Sequence, residues 1–294
     1  MIDTDLYVLP TVAHYLLDIP QGHNRANEFL SRTATLNNSN VNVSYHDLLA
    51  RNAAYILGRA VPFAQKPQAS NLLHLRPGQP VGNWRDSNQG LGYGQIPFDV
   101  NSALVPAALR ALQRLTQSGI LTLQNQSDAG VQAGRYADVW ETHAAPLFDV
   151  KVNGATAESR WKDYIVQSNL SDALLGGGNG GKQSDVTFYA LSLQDDGTPV
   201  DVSGPSFFTC ECEGKFSLNQ VMNNDLGFGL LFASNISETY LQRVVELLQP
   251  YPKGAHTHLR KCFSSKLIIK VFLPTLGWSS LIPPCRATAH KLTF

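Results

Sequence analysis

Between two apolar, helix-patterned segments lies a polar stretch, Arg76 to Asn101, that reads RPGQPVGNWRDSNQGLGYGQIPFDVN. It holds an aromatic ring (Trp84), a cation (Arg85), two carboxylates (Asp86, Asp99) and several amides, punctuated by Gly78, Gly82, Gly90, Gly92 and Gly94. Long loops carried by helices are where reactive and binding groups concentrate. The indole of Trp84 offers the flat apolar face on which a sugar ring stacks. Asn83, Arg85, Asn88 and Asn101 offer directional hydrogen bonds to hydroxyls. Asp86, packed beside an indole, would lose solvation, which raises a carboxyl pKa toward what a general acid for a leaving glycosidic oxygen needs. The same residues also allow a plainer arrangement, with Arg85 and Asp86 paired in a turn and Trp84 filling the core.

The segments that must position this loop read as helices. Leu6, Val8, Leu9, Val12, Tyr15, Leu16 and Leu17 recur at helical spacing, and a polar break at Pro20-Gln21-Gly22 precedes a second helix through Ala26, Phe29 and Leu30. Ser44, with Asp47 three residues on, predicts an N-cap that opens a helix through Leu48, Ala53, Ile56 and Leu57. A further helix is expected from about Val100 to Leu115, with Pro106 near its first turns, where proline costs least. Others are expected over about 130–147, over 156–167, and from Ser237 to before Pro250. Strand signals are few: Val186 to Leu193 alternates weakly before a turn at Asp195-Asp196-Gly197, which suggests a small hairpin insert. Phe228 to Phe232 fits either a helix or a strand. The fold class expected is therefore mainly α, an array of helical hairpins with a small β excursion near 186–193.

Composition limits the function classes. The chain has 294 residues, 43% hydrophobic, with 23 Lys+Arg against 23 Asp+Glu, which excludes a disordered chain. Four cysteines and 23 glycines exclude disulfide-dense and collagen-like classes. No run of about 18 apolar residues predicts a membrane span, and zero formal charge gives no electrostatic argument for nucleic acid. No positive leader with a cleavage site follows Met1, so no signal peptide is expected. Sequons at Asn37, Asn42, Asn125, Asn169 and Asn235 exceed the roughly two or three that residue frequencies give; chance in an Asn-rich sequence accounts for them, a secreted parent is the other reading, and the compartment stays open.

Asn83-Trp84-Arg85-Asp86-Ser87, a glycine-containing spacer, and then Ile96-Pro97-Phe98-Asp99-Val100-Asn101-Ser102-Ala103-Leu104 together resemble the six-hairpin glycosidases. These are (α/α)6 toroids that include glucoamylases and the glucosidase part of glycogen-debranching enzymes. In debranching-type members a Trp-x-Asp-Ala/Ser motif carries the general acid, and a Pro-x-(Glu/Asp)-(Ile/Val)-Asn-Ala-Leu motif opens the next inward helix. The first is matched at Trp84, Asp86 and Ser87, the second at Pro97, Asp99, Val100 and Asn101. The resemblance covers about residues 1–253 and implies an inverting glycoside hydrolase acting on oligo- or polysaccharide. Asp86 would be its general acid and Trp84 its stacking platform, while Asp99 and Asn101 would bind hydroxyls. The opening Asp3-Thr4-Asp5-Leu6-Tyr7 looks like the sugar-facing end of an earlier hairpin, which adds Asp5 and Tyr7 to the binding residues.

Two features depart from that family. An inverting enzyme needs a second carboxylate about 6.5–9.5 Å from the acid, a Glu of the C-terminal hairpins in debranching-type enzymes, yet no acidic residue follows Glu246. A closed ring of six hairpins also takes roughly 400 residues, and 250 supply about four hairpins. Residues 254–294 carry six basic residues and no acid, against 17 basic and 23 acidic in residues 1–253. The expectation is a truncated glycosidase-like domain over 1–253 that lacks its general base, followed by a basic tail of frame-shifted or intron origin; an authentic basic C-terminal segment is the alternative. A catalytically inactive carbohydrate-binding relic is a second reading. A toroid lyase or epimerase is a third, and would need Tyr7, Tyr93 or His14 as its base near Asp86.

Other signals carry less. Gly176 to Lys182 imitates a phosphate loop but lacks the hydroxyl residue after the lysine and any preceding buried strand. Cys210-Glu-Cys212 is too tight for a zinc pair, and His256, His258 and Cys262 have no evident fourth ligand, so neither metal nor cofactor is expected. Asp225, in Asn223-Asn224-Asp225-Leu226-Gly227, reads as a solvated turn, with a cleft-lining position as the other possibility.

Overall fold

The computed structural model describes residues 1–35, 42–79, 81–85, 89–124, 126–167, 185–200 and 225–248, all within the compact unit Met1–Gln249. Asp86, Ser87, Asn88, the glycine loop at 176–182, Cys210, Cys212 and the tail 254–294 lie outside the described residues. The protein is mainly α-helical. One continuous apolar core runs through it from Ile2 to Tyr240, and among the described residues no helix is long and apolar enough to cross a membrane.

Helix α1, Thr4–Ala13, buries Leu6, Leu9 and Ala13 on one stripe. It does not continue as an α-helix through Leu17. A π-helical turn, His14–Asp18, follows, and only Ile19 is extended, as a residue before proline prefers. Pro20 then opens α2, Pro20–Ser31, at the first helical position, where its missing N–H would be unpaired in any case. The expected three-residue break is thus a single residue. Strands β1, Thr33–Thr35, and β2, Asn42–Ser44, pair antiparallel and lead into α3, Tyr45–Gln65. The Ser44 side chain accepts the Asp47 N–H at 3.0 Å, the cap its spacing predicts, and such a cap contributes about 1 kcal/mol.

The polar loop follows α3 and returns to regular structure at β3, Ile96–Pro97. Next come a π-helical turn, Val100–Leu104, and α4, Val105–Gln117, where a single helix from Val100 was expected. Helix α4 packs most closely against α5, Ala129–His143, and against α1. Trp140 of α5 is wholly buried; its indole N–H donates to the Ala60 carbonyl at 3.2 Å and its ring tilts against Phe63. Beyond α5 lie β4, Asp149–Val152, and α6, Gly154–Gln167, then β5, Val186–Tyr189, and β6, Ser192–Leu193. The last two helices among the described residues are α7, Leu226–Phe232, which settles the ambiguous apolar run as helix, and α8, Glu238–Leu248.

The β excursion is not an isolated hairpin. Strand β5 pairs with β4 and β6 pairs with β3, both antiparallel. The segment 186–193 therefore stitches the polar loop to the strand that follows α5. Gly94, two residues before β3, lies where any Cβ would collide with the Ser192 side chain, so the loop approaches β6 only because that residue is glycine. The turn at 195–197 does form: Gln194 N–H bonds the Thr198 carbonyl at 2.8 Å, and Leu193 bridges Pro199.

Asn101, within the second π turn, locks this arrangement. Its side-chain oxygen accepts the Leu73 N–H at 2.7 Å, while its amide nitrogen donates to the carbonyls of Leu73 at 3.0 Å and Pro97 at 2.8 Å. The residue is wholly buried, so no water replaces a lost partner. Asn101→Ala is expected to lower stability by about 3 kcal/mol, the scale for leaving buried backbone groups unpaired. Urea unfolding of the two proteins measures it.

Candidate functional site

Where the polar loop meets the core, three consecutive residues are tied to two buried carboxylates. Asn83 donates its amide to Asp99 Oδ1 at 2.9 Å, and its own oxygen accepts the Arg85 N–H at 3.3 Å. Trp84 donates its indole N–H to Asp225 Oδ1 at 3.1 Å. Arg85 forms a fork on the same carboxylate, Nε to Oδ2 at 3.2 Å and Nη2 to Oδ1 at 3.0 Å. Bidentate guanidinium–carboxylate pairs are among the strongest hydrogen-bonded contacts a protein makes. The guanidinium also lies 4.8 Å from the centre of the Trp84 ring, a cation–π contact that covers part of one face. Phe228 of α7 supports the indole at 5.7 Å. Trp84 nevertheless remains 39% exposed.

The carboxylates are unlike one another. Asp99 and Asp225 are each wholly excluded from solvent, and Asp3 nearly so. Burial, and then the Asp225 charge, push the Asp99 carboxyl up to about 7 against a partial opposing effect of the Asn83 hydrogen bond. Burial raises Asp225 too, but the Arg85 guanidinium and the Trp84 N–H oppose it. The fork holds the charge on Asp225 and leaves Asp99 to keep the proton near neutrality. Asp99 Oδ2 has no hydrogen-bond partner. Burial raises Asp3 as well. Tyr7 of α1 lies in the field of all three: burial, then Asp3, Asp99 and Asp225, push its hydroxyl well above the usual phenol range. Its ring meets Phe232 edge-on at 5.8 Å.

Of the residues singled out in the sequence, Trp84, Arg85, Asp99 and Tyr7 are thus brought together. Asp86 and Asn88 lie outside the described residues. Asn101 is close in sequence but cannot serve a ligand hydroxyl, because its amide is spent on Leu73 and Pro97 inside the core. Asp5 is half-exposed and contributes its backbone carbonyl to Asn52 at 3.1 Å; the buried carboxylate at that end of α1 is Asp3. The Arg85 guanidinium pairs with Asp225, across 140 residues; Asp86, its partner in the plainer arrangement, lies outside the described residues. Asp225 is correspondingly no solvated turn. Its sequence signal was the apolar run that follows, LGFGLLF, which makes it the head of a helix facing the core.

Two clefts lie beside this cluster rather than in it. The larger, about 980 Å³, is bordered by His74, Gln79, Tyr93, Gln95 and Asp195, and the smaller, about 240 Å³, by Met1, Arg76, Val81 and Gly82. Neither lining includes Asp99 or Asp225. His14, exposed, pairs with Asp18 at 3.1 Å. Among the described residues no group of three His, Cys, Asp or Glu side chains could hold a metal ion. No protein family, no curated protein and no solved structure matches this chain.

Two outcomes follow from the cluster. Asp225→Ala strands a largely buried guanidinium and is expected to cost about 3–5 kcal/mol, read by chemical unfolding. Asp99 holds its proton in the folded protein up to about pH 7, whereas an unfolded Asp releases it near pH 3.9. The folded state therefore binds the extra proton between these values, and stability is fully present below about 4 and falls as pH rises to 7. Asp99→Asn removes that term, so its stability relative to the natural protein should climb with pH by at most about 1.4 kcal/mol per unit in this window and level off above it. Thermal melts from pH 4 to 9 test the sign.

Proposed function

We propose that the loop at 76–101 forms one wall of a glycoside hydrolase-type site acting on oligo- or polysaccharide, in an incomplete toroid of helical hairpins. The observation that carries this reading is the mooring of Trp84, a half-exposed indole held by its N–H and by a guanidinium on one face beside carboxyl groups of unlike proton affinity. A rigid indole with exposed apolar surface suits the CH face of a pyranose ring. Asp86, next to the fixed Arg85, is the proposed general acid for the departing oxygen of an inverting displacement. The base that would take the proton of the attacking water, a Glu of the C-terminal hairpins in the family, has no counterpart after Glu246. Arg85 is assigned to binding only through the part of its guanidinium not engaged by Asp225. Asp99 contributes a neutral carboxyl behind the wall, and Asn101 belongs to the scaffold.

Lyase or epimerase chemistry finds less support. It requires a base of lowered pKa, whereas the Tyr7 hydroxyl is shifted upward, and His14 and Tyr93 are exposed.

Purified protein offered α- and β-glucosides, α-rhamnosides and oligosaccharides is expected to release reducing sugar only slowly, since no residue is assigned as general base. Asp86→Asn should lower turnover at least about 100-fold, the range for losing a general acid, with little change in saccharide binding. Turnover that survives the substitution removes Asp86 from the mechanism. Binding without any hydrolysis in the natural chain identifies a carbohydrate-binding relic instead.

A further inference from the structure

The larger of the two clefts, about 980 Å³, has a lining with a chemistry of its own. One wall is the chain entering the polar loop, with Ser70, His74 and Gln79. The other is the chain leaving it, with Tyr93 and Gln95, and Asp195 comes from the turn after β6. The walls are tied through the backbone: Leu75 N–H donates to the Gln95 carbonyl and Gln95 N–H to the Leu193 carbonyl, each at 2.8 Å. The lining is therefore preformed. We propose that this cleft is a separate holding site for a neutral oligosaccharide, with the Tyr93 ring as its platform and the Gln79 and Gln95 amides as hydroxyl partners. It rests on the saccharide reading above for the class of ligand, and not for any step of hydrolysis.

Tyr93 is the unusual element. Its φ of 64° is left-handed backbone, which a bulky residue adopts only where its surroundings enforce it. They do so here: Gly94 N–H closes a turn on the Leu91 carbonyl at 3.3 Å, and Ser192 donates to the same carbonyl. That strain places at the cleft a ring that is 47% exposed. Core packing does not account for a strained residue with half its surface in water. An exposed aromatic face with amides around it suits the CH face and the hydroxyls of a sugar. The Gln79 and Gln95 side chains make no hydrogen bond among the described residues, so both amides are open to such a ligand. Two further features narrow the class. His74 turns Nδ1 toward Asp195 Oδ1 at 3.5 Å, while its Nε2 is sealed from solvent without a hydrogen-bond partner. No ligand atom reaches Nε2, so the imidazole is part of the wall and not a catalytic base. Among the described residues no lysine or arginine borders the cleft. Nothing there forms the fork that phosphates and carboxylates favour, and Asp195 repels them. The volume stands at the upper end of ligand clefts, about 300–1,000 Å³, which leaves room for more than one sugar ring.

The test reads binding in the Asp86→Asn protein, so that no turnover consumes the ligand. Maltohexaose and cellohexaose are titrated by calorimetry, with the uronic-acid chain hexagalacturonate for comparison. At least one of the two glucose chains should bind, and hexagalacturonate at least about tenfold more weakly. Adding Tyr93→Gly, where glycine takes the left-handed backbone without strain, should weaken binding about tenfold. Gln95→Ala, which leaves the backbone ties in place, should weaken it at least about threefold, and decides the matter should Tyr93→Gly not fold. No binding of either glucose chain, unaltered affinity in folded Tyr93→Gly, or hexagalacturonate bound as tightly as the glucose chains each overturns the holding site. The two readings fail separately. Affinity that depends on Tyr93 in a protein that hydrolyses no glycoside keeps the holding site and removes the hydrolase. Turnover of short glucosides that is lost in Asp86→Asn, without any binding of the longer chains, does the reverse.

Discussion

The fork of Arg85 on the buried carboxylate of Asp225 is the contact on which the rest of this region depends. An ion pair this deep is costly to desolvate, and its attraction offsets that cost only when geometry is good and remaining lone pairs are filled. Both conditions hold: two guanidinium hydrogen bonds close the fork, and the Trp84 indole takes a further position on Oδ1. One carboxylate from near the end of the described chain thereby fixes the orientation of two neighbouring side chains in the middle of it. With the charge pinned there, Asp99 is left as the neutral member of the pair.

Behind the fork stands a second, entirely neutral device. Asn101 ties Leu73, three residues ahead of the polar loop, to Pro97 near its end. The loop is thus closed at its base by an amide, and further in by β3 on β6, where Ser192 also donates to the Leu91 carbonyl. A long loop fastened at so few points can hold polar groups at fixed positions without regular structure of its own. The π turn at Val100–Leu104 belongs to the same device, since it carries Asn101 among its residues.

Much of this was readable beforehand, and the rest was hidden for identifiable reasons. Ser44, Pro106 and the apolar stripes of α3 and α4 act through neighbours three or four residues away, so local pattern discloses them. Trp84 and Asp99 stood out because an aromatic and a carboxylate in a polar loop are conspicuous. Asp225 did not, because in Asn223-Asn224-Asp225 it has the look of a solvated turn, and only Arg85, 140 residues earlier, reveals otherwise. Asp3 and Asp5 differ by two positions at the start of one helix, a difference in facing that periodicity resolves poorly where a helix begins. The π turns escaped notice because one extra residue in a helical ring leaves almost no trace in the apolar repeat.

The separation between the fork's two halves carries a cost in time. A ribosome adding about 5–20 residues per second exposes Arg85 and Trp84 on the order of ten seconds before Asp225 is joined to the chain. Throughout that interval the indole has no permanent seat, and the closure across 140 residues is among the longest-range hydrogen bonds of the described residues. Contacts of such sequence separation form late, after the local helical pairs have already assembled. On this ordering α3, α4 and α5 can pack before the polar loop is seated on Asp225.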